Sequence, residues 1–175
     1  MSSPAAQTLD SHELLTLVEG VLRRIVGPAG GKVTVAQDPV DAGQQLGTSP
    51  QGFRLVLAMG DEESLTGEVG SDGAVRSTIS LYVQRGKGLL AKPGGDIASA
   101  TPGETLPPLL QLCEDLIQIM RAIQIPCDSQ GLRFVRSSWV TTDGQDEADQ
   151  HIHRTRQIDF TVRRSLRRPF AQRLS

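Results

Sequence analysis

The sequence predicts an α+β domain in which two amphipathic helices pack on one face of a mostly antiparallel five-stranded sheet. Three observations predict it. Two segments carry apolar residues at helical spacing, and five shorter ones carry β-type apolar patterns. Their order is α-β-β-β-α-β-β, which segregates helices from strands as α+β folds do. The chain has 175 residues, one domain on length alone, and at 38% hydrophobic and 22% charged it can bury a core without staples. The expected divisions are a flexible N-terminal tail over 1–8, a single domain over 9–165 and a basic C-terminal tail over 166–175.

The first helix is predicted from Leu14, Leu15, Leu17, Val18, Val21, Leu22 and Ile25, which make one face. Asp10 or Ser11 can cap it, and Arg23 and Arg24 suit its last turn, where the helix dipole favours cations. Gly27 and Pro28 end it. Gly20 within it costs about 1 kcal/mol relative to alanine, which suggests close packing at that point.

Three strands follow over 32–37, 53–59 and 75–84, each with period-two alternation. The connectors read as too short for helical crossovers, which predicts an antiparallel meander. Residues 86–105 form a long loop with five glycines, a segment that either orders on a partner or is plainly disordered. Pro107 and Pro108 suit the first turn of a second helix. Leu109, Leu112, Cys113, Leu116, Met120 and Ile123 give it an apolar face. Two strands, over 132–142 and 151–164, finish the domain around an acidic connector at 142–150.

Charge is unevenly placed. From His151 onward seven arginines face one acid, a balance of +6. The whole chain carries −2, so the preceding 150 residues carry −8. A basic end on an acidic body suggests a partner for that end, either nucleic acid or a second copy, with a simply solvated end as the equal alternative.

No catalytic constellation emerges. The run from Gly27 to Val33 looks like a phosphate loop, but Val26 stands where its first glycine belongs and Val33 where Ser or Thr belongs. His151 and His153 share a strand face, and with Asp149 or Glu147 they offer metal-ligand spacing, yet a solvated strand start explains them more simply. Asp61, Glu62 and Glu63 read as a solvated hairpin tip. The two cysteines, Cys113 and Cys127, make neither a disulfide framework nor a zinc site and fit a reducing compartment. Residues 1–8 lack the basic and apolar regions of a signal peptide, and no stretch has the length of a membrane span. Six aromatics that do not interleave with the arginines make a poor base-stacking platform. Phosphate contact by the arginine-rich end stays open.

The element order, with the segments 14–25, 53–59, 75–84 and 109–123 and the closing run Arg156-Gln-Ile-Asp-Phe-Thr-Val-Arg163, resembles the tail terminator (tail completion) proteins of tailed bacteriophages. The resemblance spans about 150 residues and rests on a pattern of elements without a diagnostic motif; it extends to neck and tail-tube proteins with related folds. It implies a structural virion protein with no enzymatic activity, cofactor or metal. Such a protein forms a ring, expected to have six subunits, that caps the tail tube protein and ends its polymerisation. It offers an interface to neck or head-completion proteins, and DNA passes the channel without specific binding. The location implied is the tail or neck of the virion, assembled in the host bacterial cytoplasm, with no membrane. Arg154, Arg156, Arg163 and Arg164 are the expected subunit or tube contacts. Lys87, Leu89, Leu90, Lys92 and Asp96 are the expected neck-docking loop. The alternatives are another neck or tail-tube ring component, a nucleic-acid-binding module, and a metal-dependent enzyme built on His151, His153 and Asp149.

Overall fold

The computed structural model describes residues 9–47, 52–65, 74–85, 109–140 and 155–165. The tails at 1–8 and 166–175, the loop at 86–105, Pro107, Pro108 and the acidic connector at 142–150 lie outside the described residues.

Helix α1 (Ser11–Val26) begins at a capping box. Asp10 Oδ1 accepts from the Glu13 amide at 2.8 Å, and Glu13 Oε2 accepts from the Asp10 amide at 2.9 Å. These satisfy two amides that helix geometry leaves orphaned. A 3₁₀ turn over Gly27–Ala29 leads into β1 (Gly31–Val35).

Helix α2 (Pro39–Leu46) then intervenes, an element that the apolar periodicity does not reveal. Asp38 caps it through the Asp41 amide at 2.8 Å, and Pro39 occupies its first turn. Its buried stripe is only Ala42 and Leu46, seated on Val56 and Ala58. After it come β2 (Phe53–Ser64) and β3 (Ala74–Arg85). Helix α3 (Leu109–Ala122), β4 (Arg133–Trp139) and β5 (Thr155–Ser165) complete the fold.

The sheet has five strands in the order β1-β2-β3-β5-β4. Three pairs are antiparallel, as expected, but β1 and β2 are parallel. This corrects the meander: α2 is the crossover that parallel pairing requires, and it fits in a connector that reads as too short for one. β5, late in sequence, inserts between β3 and β4.

Helices α1 and α3 share one face of the sheet. Leu14, Val18, Leu22, Leu112, Leu116 and Met120 bury against Leu55, Leu57, Ile79, Leu81, Ile158 and Phe160. Residues two apart on a strand point the same way, so these sheet positions form one continuous floor. On the opposite face α2 covers β2, and the rest is polar: Ser80, Gln157 and Asp159 lie there. The expected two-helix layer therefore stands, with a third, smaller helix behind it.

A β-carbon added at Gly20 would meet nothing within 4 Å, so no close packing explains that glycine. Asp61, Glu62 and Glu63 do not form a hairpin tip. β2 continues through a bulge between Met59 and Glu62, and Glu62 and Glu63 pair in register with Ser77 and Arg76. Among the described residues no helix is long and apolar enough to cross a membrane.

Candidate functional site

The two edges of the sheet are finished differently. At the β1 edge, the carbonyls of Val33 and Val35 point to one side of the strand. Arg23 of α1 donates twice to Val33 O, at 3.2 and 3.1 Å, and Gln45 of α2 donates to Val35 O at 3.4 Å. Side chains from both helices thus cover backbone acceptors that would template another strand.

The β4 edge carries apolar side chains instead. Phe134, Val135 and Trp139 are 42%, 53% and 48% exposed, three of the five large exposed apolar residues among those described. The register explains this. β4 pairs only with β5, so its side chains have neighbours on one side, and a bulge between Phe134 and Arg136 turns Val135 out of the alternation. Phe134 stands opposite Phe160 and meets its ring edge-to-face at 6.1 Å. That contact anchors the strand while leaving much of the ring in solvent.

Trp139 stands opposite Arg156. The Arg156 guanidinium lies 4.9 Å from the indole ring centre, a cation–π geometry. Its Nε donates to Ser137 Oγ at 2.8 Å and its Nη2 to Ser137 O at 3.3 Å. Among the described residues no acid pairs with it. It is a half-buried cation held flat and in place.

The other arginines nearby are matched to acids. Arg136 Nε donates to Asp159 Oδ2 at 2.7 Å. Asp159 also accepts from Ser80 Oγ at 2.8 Å and Gln157 Nε2 at 2.9 Å. Burial pushes the Asp159 carboxyl up, but these hydrogen bonds and the Arg136 charge outweigh it and hold it below the usual carboxylate range. Arg133 pairs at 3.3 Å with buried Asp128, which also accepts the Arg163 and Gln130 amides at 2.9 and 3.0 Å.

The expected contact arginines therefore divide. Arg156 of β5 lies against the β4 edge, and Arg163 is exposed further along β5. Arg164 is 4% exposed and occupied within the chain. It donates to Glu62 Oε1 at 2.6 Å, Ser77 Oγ at 2.9 Å, Ser11 Oγ at 3.0 Å and Leu9 O at 3.4 Å. Arg154, the loop residues Lys87, Leu89, Leu90, Lys92 and Asp96, and the candidate ligands Glu147, Asp149, His151 and His153 all lie outside the described residues. No group of three metal-ligating side chains occurs among the described residues. Burial pushes the Cys113 thiol up to about 12, so it stays protonated and unreactive at neutral pH.

Period-two spacing puts Phe134, Val135 and Trp139 in a strand without separating edge from centre. The signal for an edge is nevertheless in the sequence: adjacent apolar residues at 134 and 135 break the alternation, and Arg133 and Arg136 are the cations that edge strands favour.

No protein-family model and no curated protein sequence matches the chain. Among the solved structures it is similar to is a component of an assembly. That component is the PVC sheath/tube terminator of an extracellular contractile injection system, in its extended state. The identity is 10% and the TM-score 0.43, over 92% of this chain and 58% of that one. This chain thus spans less than two thirds of that protein's length.

Proposed function

We propose that the protein is a non-catalytic tail terminator subunit. Copies form a ring, of six by the sequence resemblance, that closes the tail tube, stops its growth and presents a surface to neck or head-completion proteins. It needs no cofactor, and DNA passes through the ring without specific binding. Such a ring belongs to the assembled tail of a phage-like particle.

One observation carries the reading as an assembly protein: the edge strand β4 exposes Phe134, Val135 and Trp139 beside Arg156, a cation without an acid among the described residues. Aromatic residues and arginine are the types that dominate protein–protein contacts. A nucleic-acid module is less favoured, because Arg133, Arg136 and Arg164 are already paired with Asp128, Asp159 and Glu62.

The test is the mass of the purified protein at low and high salt, with negative-stain images, alone and after adding tail tubes. Rings of about six copies, free or on tube ends, are the expected result. A monomer under every condition overturns the proposal.

A further inference from the structure

The β4 edge has a complement elsewhere on the same chain. At the start of α2, Val40 is 69% exposed, the most exposed large apolar side chain described. Asp38 and Asp41 flank it. Asp38 Oδ1 accepts the Asp41 amide at 2.8 Å, and Asp41 Oδ2 accepts from the Gln37 amide at 2.8 Å and Gln45 Nε2 at 3.2 Å. Among the described residues neither acid is paired with a cation. The α2 corner is therefore apolar with anions lacking counter-charges. The β4 edge is apolar with a cation lacking one among the described residues.

The strand order sets these two patches apart. α2 follows β1, one edge of the sheet, and β4 is the other edge. Two different, mutually complementary patches on opposite sides of a subunit are what a head-to-tail contact requires, whereas a two-fold contact uses one patch twice.

We propose that the β4 edge of one copy docks on the α2 corner of the next, with Trp139 covering Val40 and Arg156 facing Asp38 and Asp41. The proposal rests on the ring reading and supplies its subunit contact. The stack on Trp139 fixes the guanidinium plane, so little side-chain freedom is lost when a carboxylate meets it. Repetition of this contact closes a ring if its rotation closes and gives a filament otherwise.

The experiment exploits Trp139 being the only tryptophan. Trp139→Ala removes one patch and Val40→Arg the other. Both residues are substantially exposed, and circular dichroism checks that both variants fold. Each variant alone is expected to lose association by about thirtyfold or more, the effect of a hot-spot residue. Mixed, they retain one intact contact between them, so sedimentation should show a dimer and nothing larger. The Trp139→Ala chain carries no tryptophan. The emission of the Val40→Arg chain should therefore shift to the blue on mixing, as its Trp139 becomes covered. Rings persisting in both variants overturn this contact and leave the ring standing. Monomeric variants that neither dimerise nor shift on mixing also overturn it. A wild-type chain that stays monomeric with and without tubes overturns both proposals.

Discussion

Arg164 of β5 meets Glu62 of β2 at 2.6 Å although β3 lies between their strands. The same guanidinium reaches Ser77 of β3 and Ser11 at the start of α1, so one side chain ties three strands to the first helix. Arg164→Met should lower unfolding free energy by about 2–3 kcal/mol, because buried Ser77 and the partly buried acceptors around it lose a charged donor. Arg164→Lys should cost less, since it keeps the charge but not the planar fork. Urea titration reads both. Equal losses in the two variants would show that the retained charge contributes nothing without the fork.

Acid should loosen the same cluster. Burial raises the Glu62 carboxyl, but hydrogen bonds from Arg164 and Ser77 and the Arg164 charge together hold it below the ordinary glutamate range. Asp159 is depressed in the same direction. A folded-state value below the unfolded one stabilises the fold above the unfolded value, and that contribution vanishes as pH falls through the folded value. Melting temperature should therefore drop as pH is lowered below about 4. Glu62→Gln combined with Asp159→Asn should start lower at neutral pH and fall less steeply. An unchanged acid limb in that double variant would remove these two groups from the explanation.

Two glycines should respond to alanine with opposite signs. Gly20 lies exposed in α1 with open space around it, so Gly20→Ala should stabilise by about 0.5–1 kcal/mol. Gly31 opposes Phe53 in register, and a β-carbon there would stand 2.5 Å from Phe53 Cζ. Gly31→Ala should destabilise by about 1–3 kcal/mol through overpacking. Thermal melts of the two variants decide both signs.

Much of the fold was legible because its long elements keep a clean period. α1 and α3 repeat apolar residues at helical spacing, and β3 and β5 alternate without interruption. α2 was not legible, since its stripe is two residues, Ala42 and Leu46, with Gly43 between them. Without α2 the parallel β1–β2 pair could not be inferred. The bulge after Met59 ends the alternation of β2 early and hides the register that pairs Glu62 with Ser77. Arg164 was readable in principle. It continues the inward series Ile158, Phe160, Val162 by two residues, and charge alone made it look like surface. The Trp139–Arg156 stack depends on cross-strand register, which sequence spacing within one strand does not carry.

The position of β5 bears on how the protein is made. This strand pairs on both sides, with β3 and β4, yet it lies more than 100 residues after α1 and more than 50 after β3 in the chain. During synthesis α1, β2 and β3 emerge without the neighbour that completes their core. Distant pairings of this kind close slowly and expose apolar surface meanwhile. Arg164 fastens the beginning of the described fold to its end, so a truncated nascent chain lacks both the floor under α3 and the clasp on α1. Incomplete translation products should thus fail to fold and be open to proteolysis.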